Sequence, residues 1–383
     1  MTHPLGTSLR LERFPYAGNK SLRAWDAADE YALDYLADHA PSAGQLAVVN
    51  DAFGALAAAL VRDRPGVPIR SILDSHSTLL ATQHNLGLNE LAGPVTFVCG
   101  PGAIEGPPID VAIIKIPKTL GLLEDQLRRL RGALHPKAVI VGAGMTRHIH
   151  TSTLALFEGI LGPTTTSLGR KKARLVHATL DPEREPDHLC GEGPFPTTFE
   201  LDDDRGQPFT VYNYGGVFSR ERLDQGTAVL LEHMPDTRGP THIVDLGCGN
   251  GVLGTRAALQ NPEASLLFVD DSYAAVESAR LTFREACGPD RKAEFRATDA
   301  LHGFQRDSAD LILNNPPFHD GPVKGDAIAW SMFTGAKRVL RPGGELWVVG
   351  NRHLGYHTKL KRIFGNCETV SSNPKFVVLV CRV

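Results

Sequence analysis

Short β-branched runs alternate with longer amphipathic stretches twice along the chain, from Gln45 to Val141 and again from Thr241 to Val349. Each block follows the βαβα grammar of a parallel sheet covered by helices on both faces, so a doubly wound α/β architecture is expected in duplicate. In the second block, strands are expected at His242–Asp245, Ser265–Asp270, Ala293–Ala297, Ala309–Asn314 and Gly344–Gly350, with an antiparallel end at Lys375–Val383. Helices are expected at Tyr273–Ala286 and Ala327–Leu340.

The blocks also resemble one another. Val48–Gly54 (VVNDAFG) lies opposite Ile243–Gly249 (IVDLGCG) at an offset of 195, and Ile72–Ser75 opposite Phe268–Asp271 at 196. Asp110–Lys118 matches Asp310–Pro317, and Leu134–Pro136 matches Leu340–Pro342. Shared α/β grammar is one explanation; the ordered offsets favour duplication. The copies are chemically unequal. In this alignment Asn50, Ala52 and Leu56 stand at the places of Asp245, Gly247 and Gly251, and Ile116-Pro117-Lys118 at that of Asn315-Pro316-Pro317. Catalysis is therefore expected in the second block. Between them, residues 181–208 are rich in charge, Pro and Gly and read as a linker, giving expected domains at 1–180 and 209–383.

Composition narrows the classes. A hydrophobic content of 42% excludes a mainly disordered chain, and no apolar run approaches the roughly 20 residues of a membrane span. No secretory-type apolar segment opens the sequence, so a cytoplasmic location is expected. The six cysteines show no C-x-x-C pair, so neither a disulfide framework nor a zinc site is expected. With 40 Lys+Arg against 43 Asp+Glu, a nucleic-acid partner would have to be held by local basic patches.

The chemistry concentrates in two motifs. His242–Gly254 (HIVDLGCGNGVLG) runs from a strand through a glycine-rich turn into a helix, where doubly wound sheets bind nucleotides. Gly247, Gly249 and Gly251 let the backbone lie close to a ligand. Gly249, Gly251 and Gly254 also satisfy G-x-G-x-x-G, so a dinucleotide site stays open. Asp245, ahead of the glycines, would gain nothing beside a pyrophosphate but suits a cationic ligand. S-adenosylmethionine fits, with a sulfonium, an ammonium and no phosphate. Asp270 can then accept from the ribose hydroxyls and Asp299 from the adenine amine. The second motif is Asn315-Pro316-Pro317-Phe318. Its prolines stiffen a loop whose acceptors, the Asn315 side-chain carbonyl and the Pro316 backbone carbonyl, can take both hydrogens of a planar amine, while Phe318 stacks on its ring.

DLGCGNG at Asp245–Gly251 with NPPF at Asn315–Phe318 resembles class I methyltransferases of the amino-methylating kind. The resemblance is strongest to the RlmG/RsmC family of ribosomal RNA guanine-N2 methyltransferases, in which a degenerate methyltransferase domain precedes an active one. LERFP at Leu11–Pro15, AWDAADEY at Ala24–Tyr31, VFSRERLD at Val217–Asp224 and NRHLGYHTKLKRIFGNC at Asn351–Cys367 extend it over nearly the whole chain. It departs at Asn213-Tyr214-Gly215-Gly216, where relatives have a His-containing run. The resemblance implies two tandem Rossmann-like domains with seven-stranded sheets, the first degenerate, and methylation of a guanine in 23S rRNA. A guanine within structured RNA would have to flip out to reach the site. Candidate phosphate-holding sets are Arg128, Arg129 and Arg131; Arg170, Lys171, Lys172 and Arg174; and Arg352, Lys359, Lys361 and Arg362, the set at 170–174 being the least masked by nearby acids. Rival readings are methylation of a 16S rRNA guanine, a protein glutamine or a DNA adenine, an NAD-dependent oxidoreductase, and a non-catalytic ribosome-assembly factor.

Overall fold

The structure, a computed structural model, describes every residue except 1–4, 6, 7, 16–21, 41, 43, 185–194, 236–238, 240 and 318–321; the side chains of 322–325 also lie outside it. The chain divides into two compact units, Met1–Phe195 and Pro196–Val383.

The first unit holds strands β1 (Leu46–Val49), β2 (Ile69–Leu73), β3 (Val95–Cys99), β4 (Ile109–Lys115), β5 (Leu134–Met145), β6 (Thr164–Thr166) and β7 (Ala173–Ala178). The second opens with a hairpin, β8 (Thr197–Asp202) and β9 (Pro208–Asn213). Its sheet follows with β10 (His242–Leu246), β11 (Ser265–Asp270), β12 (Glu294–Ala297), β13 (Ala309–Asn314), β14 (Leu340–Asn351), β15 (Glu368–Ser372) and β16 (Phe376–Arg382). Both sheets are seven-stranded, with the orders β3-β2-β1-β4-β5-β7-β6 and β12-β11-β10-β13-β14-β16-β15. The same connectivity in both bears out the doubly wound fold.

The second sheet shows why these residues form it. Along β10, Val244 and Leu246 enter one layer with Phe333, Tyr356 and Leu360, while Ile243 enters the other with Phe283 and Trp347. A strand buried on both faces reads as a continuous apolar run. Phe268 stacks on Phe295 at a centroid distance of 4.8 Å and meets Phe283 edge-on at 5.4 Å, fixing β11 and β12 to the helix Tyr273–Cys287.

Two boundaries differ from expectation. The stretch 181–208 is not wholly a linker, because Phe199 and Leu201 of β8 alternate inward to pack with Phe209 and Val211. The acidic turn at Asp203 masks this short period of two. The expected antiparallel end is two strands, the extra one being β15, whose sequence ETVSS carries little apolar signal because it lies at the sheet edge.

Candidate active site

Strands β12, β11, β10 and β13 run parallel, and the strand order reverses between β10 and β13, where open α/β sheets form their ligand crevice. Beyond β10 the chain turns through Gly247–Gly251 into the helix Val252–Gln260. Gly251 sits at φ +80°, and a Cβ there would lie 2.8 Å from the Cα of Ala279, so helix Tyr273–Cys287 can approach only a glycine. Gly249 is the opposite case: a Cβ there would meet nothing within 4 Å, leaving its backbone open to a ligand.

Asp245 is only 1% exposed. Its Oδ2 accepts the Gly254 N–H at 2.8 Å, whereas its Oδ1 is buried without a partner. Burial, with the charge of Asp270 adding to it, pushes its pKa up to about 8. Asp270, at the end of β11, accepts from the N–H groups of Gly249 and Ser272, each at 3.0 Å, and burial raises it to about 6. Two backbone donors leave its carboxylate further lone pairs. Asp299 follows β12, half-buried.

At the end of β13, Asn314 donates from Nδ2 to the Leu246 carbonyl at 2.6 Å, tying β13 to β10. Asn315 donates from Nδ2 to Asp224 Oδ2 at 3.0 Å and to Thr227 Oγ1 at 2.9 Å. Its Oδ1 is buried and unpartnered, as is that of Asn314. Pro316 is buried behind it; Phe318 lies outside the described residues. The expected Asp245, Gly247, Gly249, Gly251, Asp270, Asp299, Asn315 and Pro316 thus all fall at the carboxyl ends of four neighbouring strands or in the loops that follow them.

Sequence reasoning missed Asp224, Thr227 and Asn314. An N-cap signature was visible, since Asp224 closes VFSRERLD ahead of the helix Gln225–Glu232 and accepts the Thr227 N–H at 2.9 Å. Asn213 is fully buried and accepts from Asn250 of the glycine loop at 2.9 Å. The hairpin that carries it is tied to the helix Tyr273–Cys287, with the N–H groups of Tyr212 and Tyr214 donating to Thr282 and Ser278.

Residues 2–182 match the family described as RLMG N-terminal domain, and residues 208–380 match the methyltransferase small domain. A protein of Streptomyces avermitilis named ribosomal RNA large subunit methyltransferase G is 50% identical over 386 aligned residues, covering 99% of this chain and 98% of its own. A Pseudomonas aeruginosa protein of the same name is 48% identical over 97% of this chain and 96% of its own. The chain belongs to the ribosomal RNA large subunit methyltransferase G family. Its fold is shared by a T. thermophilus 16S rRNA N2 methyltransferase, RsmC, solved with AdoMet and guanosine, at a TM-score of 0.74 and 21% identity over 93% of this chain and 92% of that one.

Family enzymes draw on S-adenosylmethionine, and the crevice fits that group. It offers open space beside the half-buried Gly249 and the unpartnered buried oxygen of Asp245, which suit a ligand with cationic and donor groups and no phosphate. A buried oxygen without a donor costs about 1–3 kcal/mol, which a bound ligand removes.

In the first unit the corresponding places are filled from within. Strand pairing corrects the alignment read from sequence. Val49 pairs with Ile72 and Ile114 as Leu246 pairs with Val269 and Asn314, and Gly54 caps its helix in the left-handed conformation as Gly251 does. The counterparts of Asp245, Gly247 and Gly251 are therefore Val48, Asn50 and Gly54. Leu73 stands for Asp270, and Lys115-Ile116-Pro117 for Asn315-Pro316-Pro317. Lys115 Nζ reaches Asp26 at 2.9 Å and Asp29 at 2.6 Å, and Asn50 donates to the Lys115 carbonyl at 3.1 Å and to Gln126 at 2.7 Å. Val48 and Leu73 are apolar where the second unit has Asp245 and Asp270, and the ammonium at the place of Asn315 is tied to two carboxylates; the buried carboxyl of this turn is instead that of Asp51, whose Oδ2 accepts the Ala57 N–H at 2.9 Å.

The basic sets also need correction. Arg170 and Lys171 are not the least masked, because Asp34 and Glu30 of the helix Ala27–His39, remote in sequence, pair with them at 2.5 and 2.8 Å. Lys172 is exposed, while the Arg174 Nε is buried. Arg128 and Arg129 bind Glu124 and Asp125 one helical turn away, and Arg131 caps the carbonyls of Ile160, Leu161 and Asp181. On the helix Tyr356–Phe364, Tyr356, Leu360 and Phe364 face inward, and Lys361 and Arg362 face out. Arg362 lies 5.5 Å above the Trp330 ring; Arg352 is exposed, and Lys359 pairs with Asp326 at 2.7 Å. Among the described residues, no helix is long and apolar enough to cross a membrane, and no group of three or more His, Cys, Asp or Glu is placed to hold a metal.

Proposed function

We propose that the second unit methylates the exocyclic N2 amine of a guanine in 23S ribosomal RNA. The observation that carries this reading is the Asn315 amide, whose hydrogens are absorbed by protein acceptors while its carbonyl oxygen is buried and unpartnered. Such an oxygen requires a donor, and a guanine amine has two hydrogens to give. The names of the family members supply the substrate class.

S-adenosylmethionine supplies, when bound, an electrophilic methyl on a sulfonium. Asp245, Asp270, Asp299 and the backbone at Gly247, Gly249 and Gly251 would hold it. Asn315 Oδ1 and the Pro316 carbonyl accept the two amine hydrogens, turning the nitrogen lone pair toward the methyl. Phe318, which lies outside the described residues, is the side chain expected from its motif to stack on the base. As the N–C bond formed and the S–CH3 bond broke, the sulfur would keep the electron pair and leave as S-adenosylhomocysteine, and the cationic nitrogen would then pass a proton to water, so no strong base is needed. Lys172, Arg352, Lys361 and Arg362 are the phosphate-holding cations favoured by exposure, with Arg170, Lys171, Lys359 and Arg174 secondary. The first unit serves RNA positioning, folding or both, and the protein works in the cytoplasm on ribosomal RNA.

The test is transfer of labelled methyl to RNA, DNA and protein fractions from cells lacking this gene. Label is expected in large-subunit RNA as N2-methylguanosine; label confined to protein or DNA overturns the reading.

Two further results are expected. A cation favours the ionised form of a carboxylate, and burial holds Asp245 largely protonated at neutral pH. Cofactor binding should therefore release protons at neutral pH and tighten as pH rises toward about 8. Calorimetry in buffers of different ionisation enthalpy would detect the release, which Asp245→Asn should reduce. Removing Lys361 and Arg362 together should weaken RNA binding and lower the log–log salt slope by about 2, measured between 50 and 200 mM salt.

A further inference from the structure

The amide that would grip the acceptor is itself gripped. Asn315 Nδ2 lies 3.0 Å from Asp224 Oδ2 and 2.9 Å from Thr227 Oγ1, two oxygens at the start of the helix Gln225–Glu232. The Thr227 hydroxyl can donate to the same Asp224 oxygen at 3.4 Å, which turns one of its own lone pairs toward Asn315. A carboxylate can only accept, so the nitrogen of Asn315 must face it and the carbonyl oxygen must face away. The intervening Gly226 permits this approach: a Cβ there would lie 3.0 Å from Asp224 Oδ2 and 3.6 Å from Asn315 Nδ2. The first unit repeats the arrangement with altered chemistry, since Asp26 and Asp29 at the start of its helix hold Lys115, the counterpart of Asn315.

We infer that Asp224 and Thr227 are positioning residues that set the polarity of the Asn315 amide, directing its oxygen rather than its NH2 group at the methyl acceptor. This rests on the function proposed above. Neither residue would touch the acceptor. Without the clamp the amide can turn over, and an NH2 group facing the guanine amine would repel the hydrogens it should receive.

The test is kinetic, on the full chain, with the thermal midpoint and S-adenosylhomocysteine affinity measured for each variant. Thr227→Val removes one acceptor, and the hydroxyl's long bond to Asp224, while keeping the Thr227 N–H that Asp224 caps; kcat should fall about tenfold with the RNA KM changed less than twofold. Thr227→Ser should restore most of the loss. Asn315→Asp places two carboxylates together and should abolish turnover; Asp224→Asn in that background removes the repulsion between the two charges and should recover at least tenfold. A residue that only caps a helix would give no such recovery. The inference is overturned if Thr227→Val leaves kcat unchanged, or if Asp224→Asn fails to rescue Asn315→Asp in folded protein that binds S-adenosylhomocysteine. A wild-type chain that never methylates guanine N2 would instead sink the proposed function.

Discussion

Asn315→Ala is expected to lower kcat for methyl transfer by a hundred- to a thousand-fold, about 3–4 kcal/mol of barrier, with S-adenosylhomocysteine affinity within about threefold of wild type. The reason is local. The side chain supplies one of two acceptors for the guanine amine, and its loss leaves that amine free to rotate its lone pair out of line. Asp224 still caps the helix Gln225–Glu232 through the Thr227 N–H, so the fold has no cause to change. Single-turnover kinetics with labelled cofactor would separate this from an effect on RNA binding, which should appear in KM alone. A variant that loses cofactor affinity in step with kcat would place Asn315 in the cofactor site instead.

The second large effect falls on the first unit and is one of stability. Lys115 is 14% exposed in its side chain and Asp29 is 7% exposed, so their contact at 2.6 Å is a buried ion pair. Removing one partner strands the other, and Lys115→Ala should cost about 3 kcal/mol or more, read as a drop in the denaturant midpoint of the first unit's transition. Lys115→Ala with Asp29→Ala should recover part of the loss, because no charge is then left buried without its counter-ion. Methyl transfer per folded molecule should be unchanged, since the second unit holds the proposed site. Equal stability of wild type and Lys115→Ala would mean that water, rather than Lys115, already compensates Asp29.

Much of the architecture was legible because it rests on period and punctuation. β10 and β13 are buried on both faces and read as apolar runs, and DLGCGNG marks the turn between strand and helix. The edge strand β15 was not legible, because a strand that buries little needs few apolar residues. The alignment between copies failed by a few residues for a related reason: similarity of letters placed Leu56 against Gly251, whereas strand register and the left-handed cap place Gly54 there. The main residues proposed for the site were found from chemistry at motif spacing. Asp224 and Thr227 were not, because their partner Asn315 is remote along the chain and only folding brings them within 3.0 Å. The same blindness misjudged Arg170 and Lys171, whose acids come from a helix far upstream.

The most direct measurement is a crystal structure of the chain with S-adenosylhomocysteine and guanosine. Nucleoside and cofactor are expected together at the carboxyl ends of β10 to β13. The guanine N2 should lie 2.7–3.2 Å from both Asn315 Oδ1 and the Pro316 carbonyl, with the Asn315 NH2 still on Asp224. Cofactor bound in the first unit, or a guanine N2 out of reach of Asn315 Oδ1 in a filled crevice, would contradict it.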